Sequence, residues 1–153
     1  MRGKRPAASG GLRIRDAGPE DAEALAPLLA ELGYPDERAR IAARVASFAS
    51  DPSSCLVVAD DGRGLVGFAS ASVLPLAHED GRWCRLSALA IAEDRRRGGA
   101  GRALVEAVEA FAREFGCALM EVTSGERPER EAAHRFYAAL GYEEVSRRFL
   151  KEL

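Results

Sequence analysis

Four arginines and three glycines fall within eight residues, as Arg95, Arg96, Arg97, Gly98, Gly99, Gly101 and Arg102. Glycine lets a backbone come close to a ligand with no side chain in between. A helical pattern begins at Arg102, so the glycines sit where a helix offers its unpaired N–H groups and the positive end of its dipole. That end favours acids over bases, yet four guanidinium groups crowd it. An anion bound there relieves the conflict. Types and spacing together describe a cradle for a phosphate or pyrophosphate; a solvated arginine turn before a surface helix is the alternative use of the same residues.

Two familiar cradles do not fit. A P-loop needs Gly-Lys followed by Ser or Thr, where this chain has Gly101-Arg102-Ala103. A dinucleotide fingerprint needs a tight turn from strand to glycine and a third small residue. Here Ile91 and Gly98 are far apart and the third position is Leu104. Net charge is −2, so the basic character is local to 95–102, which suits a small anion better than a polymer and excludes nucleic acid as the expected partner. Cys55, Cys84 and Cys117 show no CxxC spacing and His78 and His134 are the two histidines, so no metal site is expected. Each cysteine lies in or beside an apolar run, as a small core hydrophobe does, and a reduced, cytoplasmic setting is the simplest reading.

The cradle needs elements to hold it. Leu86, Leu89, Ala90 and Ile91 form the apolar end of a strand at 83–91, directly before the arginines. A helix follows at 102–115, apolar at Leu104, Val108, Phe111 and Phe115, stopped by Gly116. A buried strand at 117–123 completes a crossover, which places the two strands parallel with the helix over them. Upstream, 12–15 alternates as a first strand, and Gly18-Pro19 opens a helix with Leu25, Leu28, Leu29 and Leu32 on one face. Pro27 inside it should bend or loosen a turn. A second helix spans 36–49, and strands at 55–59 and 65–74 flank the turn Asp60-Asp61-Gly62-Arg63-Gly64. A short helix at 129–140 and a last strand at 142–150 close the chain. The order βααβββαβαβ gives an α/β (α+β) fold: a mixed, mostly antiparallel sheet with helices on both faces, in which ligands bind beyond the carboxyl ends of parallel strands. At 153 residues this is one domain, expected at 12–153 behind a disordered tail at 1–11 that lacks a signal-peptide core. No apolar run approaches the roughly 18 residues that span a bilayer, so no membrane partner is expected.

Arg96-x-x-Gly99-x-Gly101, preceded by Leu89-Ala90-Ile91 and followed by Arg102-Ala103-Leu104, resembles motif A of the GNAT superfamily of N-acetyltransferases. A second segment, Ala133-His134-Arg135-Phe136-Tyr137-Ala138-Ala139-Leu140-Gly141-Tyr142, is similar to that family's late A-x-x-FY-x-x-LGF signature, and Leu32-Gly33-Tyr34-Pro35 matches its turn between the first two helices. The resemblance covers nearly the whole chain. It implies acetyl-CoA as cosubstrate, with no metal. Leu89, Ala90 and Ile91 would meet the pantetheine arm as an added strand does. Arg96 and the amides of Arg97, Gly98, Gly99, Ala100, Gly101 and Arg102 would hold the pyrophosphate. Phe136 would pack beside the cofactor, and Tyr137 would protonate the departing thiolate. Two departures stand out: the family's Arg-Gly-x-Gly is permuted to Arg96-Arg97-Gly98-Gly99, and Arg130 replaces an asparagine often found before the Phe-Tyr pair.

Acetyl transfer to an amine needs a neutral nucleophile, although a lysine-like amine has a pKa of about 10.4. A base or water chain takes its proton, a backbone N–H near 89–91 serves the oxyanion, and an acid serves the thiolate. The candidates for the base and the acceptor are Tyr34, Arg38, His78, Glu79 and His134, with Asp80, Glu121 and Ser87 as further ones; a solvated turn accounts better than catalysis for the acids at 79–80. The implied activity is N-acetylation of a primary amine on a small molecule or peptide. A non-catalytic acyl-CoA-binding or regulatory module on the same fold is the alternative. A homodimer is a habit of the family that no residue here demands.

Overall fold

The structure is a computed structural model and describes residues 7–9, 11–125 and 128–153. The chain divides after Glu121 into two compact units. In the first, β1 (Ala7–Ser9), β2 (Leu12–Asp16), α1 (Ala22–Glu31), α2 (Arg38–Ser50), β3 (Ser54–Asp60), β4 (Leu65–Pro75), β5 (Arg82–Ile91) and α3 (Ala100–Glu114) follow one another, and β6 (Leu119–Val122) brings the chain to the division. The second unit carries α4 (Glu131–Ala139). The strands form one sheet in the order β1-β2-β3-β4-β5-β6, and the pairings from β1 through β5 are antiparallel. Between β5 and β6, the Ala118 N–H reaches the Arg82 carbonyl at 3.0 Å and Arg85 reaches Glu121 at 3.1 Å. Both contacts step forward together, the sense of parallel neighbours.

Strand alternation decides which helix covers which face. Val58 and Phe68 are register partners and cluster with Ala22, Leu25 and Leu28 of α1 and Ile41 and Val45 of α2. Gly67, one residue before Phe68, faces the other way, and a Cβ placed on it would come within 3.2 Å of Leu104 on α3. Helices therefore cover both faces. On α3, the buried positions 104, 105, 108, 111 and 112 recur at helical spacing and form one stripe. Phe111 is fully buried; its replacement by alanine would cost about 3–5 kcal/mol. Pro27 does not interrupt α1, which runs unbroken on both sides of it. A turn of 3-10 helix at Pro19–Asp21 precedes α1 and takes the first turn expected of the helix.

Two expectations need correction. Ala7–Ser9, placed in a disordered tail, pair with β2 in register Ala7↔Ile14 to Ser9↔Leu12, while residues 1–6 and 10 lie outside the described residues. The last strand read at 142–150 does not form: no helix or strand occurs among residues 142–153. Tyr142, Val145, Phe149 and Leu150 supply apolar content without period-two alternation, so no single strand face gathers them. Val145, Phe149 and Leu150 are exposed.

Candidate functional site

β5 carries a bulge before its functional end. Ser70 pairs with Ala88 and Ala71 with Leu86, which leaves Ser87 as the extra residue. The Ser87 and Ser70 hydroxyls lie 2.8 Å apart, so the buried Ser70 is satisfied by the residue the bulge displaces. Bulges bend a strand and re-aim the residues beyond them. Here those residues are Leu89, Ala90 and Ile91, all half-buried and paired to Ala69, Phe68 and Gly67. β6 is four residues long, and the Ala118–Arg82 and Arg85–Glu121 contacts lie toward the start of β5.

Beyond Ile91 the chain turns through 3-10 helix at Glu93–Arg95 and enters α3 at Gly99. Gly99 has φ 84°, a left-handed conformation that glycine adopts freely, and gives no side-chain cap. The first amides of α3 thus keep their donors for another partner. Arg97 also has a positive φ of 69°. For a residue with a Cβ this is strained, and such strain gathers where a loop is shaped for a ligand. A cleft of about 430 Å³ borders the loop, lined among others by Asp61, Arg63, Arg95, Arg96, Gly98 and Ala100.

The arginines divide by partner. Arg95 is held by Asp61 at 2.5 Å. Arg96 turns its Nε toward the Ile91 carbonyl at 3.4 Å, and Arg102 lies 3.9 Å from Glu106 one turn on. The Arg63 N–H, helped by Arg95, holds the Asp61 carboxyl below its ordinary range. Neither Asp61 nor Gly67 figured among the site residues read from sequence. The turn Asp60–Gly64 was the signal for the first, but a turn does not reveal which side chain crosses to another loop. For Gly67 no sequence signal existed.

The remaining candidates lie on other elements of the two units. Tyr34 is exposed on the turn after α1, and Arg38 is exposed, 3.9 Å from Glu23. His78 and Glu79 lie 3.8 Å apart on the loop after β4, with His78 edge-on to Trp83. Glu121 is engaged by Arg85. In the second unit, the His134 Nε2 lies 2.9 Å from the Gly125 carbonyl, so its ring serves the local fold. Phe136 and Tyr142 flank the Tyr137 ring edge-on at 5.3 and 5.8 Å. Burial raises the Tyr137 pKa above the ordinary 10.0, against a smaller opposing effect of Arg130. No group of three or more metal-ligating side chains occurs among the described residues, and no helix among them is long and apolar enough to cross a membrane.

A family model described as the acetyltransferase (GNAT) family matches residues 22–142. No curated protein matches the chain. Among solved structures, a transcriptional regulator from Bacillus halodurans is similar at TM-score 0.82 and 21% identity, covering 93% of this chain and 99% of its own. A putative acetyltransferase from Agrobacterium tumefaciens gives TM-score 0.80 at 22% identity, with 92% and 99% covered. The aminoglycoside N-acetyltransferase AAC(6')-Iy, in complex with CoA, gives TM-score 0.80 at 21% identity, with 99% and 97% covered. At these identities the likeness is one of fold.

Proposed function

The chain belongs to the acetyltransferase (GNAT) family, and from that premise we propose that it is an acetyl-CoA-dependent N-acetyltransferase acting on a primary amine of a small molecule or peptide. The junction of β5 and α3 carries this reading, because a bulged strand end, a strained glycine-rich loop and uncapped helix amides lie together there. Its residues fit a pyrophosphate: a Cβ at Gly99 would meet nothing within 4 Å, so open space lies before the amides. Arg96 and the amides of 97–102 would hold the pyrophosphate, and Leu89, Ala90 and Ile91 the pantetheine arm. Acetyl-CoA supplies the thioester acyl group that the acceptor amine takes up, with its thiolate as leaving group.

The chain's own part is to bind, orient and move protons. A backbone N–H at 89–91 serves the oxyanion. Tyr137 is the acid assigned by the family signature, and burial keeps its hydroxyl protonated through neutral pH. With Glu121 engaged by Arg85, the amine proton leaves through water or to the loop groups His78 and Glu79. The rate therefore rises with pH as the neutral amine grows, and no decline from Tyr137 sets in below about pH 10.

Thiol release from acetyl-CoA, measured across polyamines, aminoglycosides, amino acids and peptide N-termini, tests the proposal. Tyr137→Phe is expected to lower kcat about 10²-fold while CoA affinity holds. Full activity of that variant across pH removes Tyr137 from the mechanism. A non-catalytic acyl-CoA-binding or regulatory module is the second reading, favoured by Arg130 in the asparagine's place and by the fold neighbour described as a regulator. Thermal stabilisation by CoA with no turnover on that panel selects it.

A further inference from the structure

We propose that Asp61, in the turn between β3 and β4, is a positioning residue that acts through Arg95 to hold the loop at 92–99 in place for the CoA pyrophosphate; this rests on the acetyl-CoA-dependent function proposed for the chain. Early in the loop, the Ala92 N–H reaches the Val66 carbonyl at 2.8 Å and the Glu93 N–H reaches Glu31 Oε2 of α1 at 3.1 Å. The segment that must present amides begins later, with Arg97 strained at φ 69° and Gly99 left-handed. Arg95 stands between the two, and its guanidinium donates to Asp61 Oδ2 at 2.5 Å.

Asp61 is itself fixed before it meets Arg95. Its Oδ1 accepts the Arg63 N–H at 2.9 Å, its own N–H donates to the Gly64 carbonyl at 3.2 Å, and the Arg63 guanidinium lies 3.6 Å from Oδ2. The Asp61 side chain is 14% exposed and that of Arg95 35%, so the pair forms a wall of the cleft more than a fringe of the surface. A carboxylate on the wall of an anion site ought to harm it. Two guanidinium partners neutralise this one, which leaves its geometry as its contribution.

Position and bare charge make opposite predictions for the loss of Asp61. Removing a negative charge alone tightens a phosphate ligand, whereas releasing the loop weakens it. Calorimetric titration with CoA, together with KM for acetyl-CoA and kcat, would be measured for wild type, Asp61→Ala, Arg95→Ala and the double variant. Expected are a rise of about tenfold in Kd and KM for each single variant, kcat within twofold, and a double variant no worse than the poorer single. Asp61→Asn, which keeps an oxygen for the Arg63 N–H, falls between. The melting midpoint moves by less than about 3 °C, so that the change read is one of binding and not of folding. Tighter binding by Asp61→Ala, unchanged binding, or additive losses in the double variant each overturn the role of Asp61. A wild-type protein that binds no CoA overturns the proposed function itself.

Discussion

At the scale of single residues, two positions in and beside the cradle are under backbone constraint. A Cβ on Gly67 would lie 2.6 Å from Ile91 Cδ1 and 2.7 Å from the Ala90 carbonyl oxygen. A backbone oxygen cannot swing aside as a long side chain can, so Gly67→Ala must push the end of β5 outward. Overpacking of this kind costs about 1–3 kcal/mol; the variant should melt several degrees lower and show a raised KM for acetyl-CoA, since the displaced residues are those assigned to the pantetheine arm. An unchanged KM in a folded variant would detach Ala90 and Ile91 from the ligand. Arg97 is constrained by its own φ of 69°. A left-handed conformation costs a residue with a Cβ about 1–2 kcal/mol, against about 0.5–1 kcal/mol of extra chain entropy for glycine. Arg97→Gly should therefore melt no lower than wild type and above Arg97→Ala, which keeps the strain. Comparing the two midpoints by calorimetry isolates backbone from guanidinium, and a higher midpoint for alanine would contradict the strain.

At the scale of elements, the entry to α1 depends on an ion pair that sequence periodicity does not announce. Arg15 at the end of β2 grips Asp21 with two bonds of 2.7 and 2.8 Å, and Asp21 Oδ2 also accepts the Gly18 N–H at 2.9 Å. The Arg15 hydrogen bond, then that of Gly18, lowers the Asp21 pKa below 3.8. An unfolded chain thus takes up this proton before the folded one does, so the pair's stabilisation is complete above about pH 5 and fades as pH falls through the lower folded value. Asp21→Asn is expected to lose about 1–3 kcal/mol at pH 7 and to flatten the fall in stability below pH 4, measured by urea unfolding at stepped pH. An unaltered acid limb would exclude the pair from acid unfolding. The helices and the β5–α3 junction were legible because periodicity and glycine spacing are local. The bulge at Ser87, the Asp61–Arg95 contact and the close approach at Gly67 join residues 17 to 34 apart, and no local pattern encodes them. The misread strand at 142–150 shows the converse: apolar content without alternation names no element.

At the scale of the first compact unit, the cysteines report whether ligand binding and the core are one cooperative system. Cys55 and Cys84 are buried and Cys117 is half-buried. Burial pushes the Cys84 thiol up to about 12, with its sulfur neighbours adding a smaller share. Alkylation needs the thiolate and access together, so Cys84 should react only through opening of the sheet. Cys84 lies on β5, the strand whose far end leads into the 92–99 loop. A ligand that binds only the closed form slows such opening by a factor of 1 + [L]/Kd, about 100-fold at one hundred times Kd. Iodoacetamide labelling followed by mass spectrometry, with a CoA analogue lacking the thiol so that the ligand does not consume the reagent, should show Cys117 modified first. Cys84 should follow slowly, and more slowly by that factor when the analogue saturates. Protection of Cys84 matched to the analogue's Kd would tie the loop to the core. Labelling of Cys84 at the rate of Cys117 would mean that β5 opens locally, and the cradle would then be held by its own loop contacts rather than by the sheet beneath it.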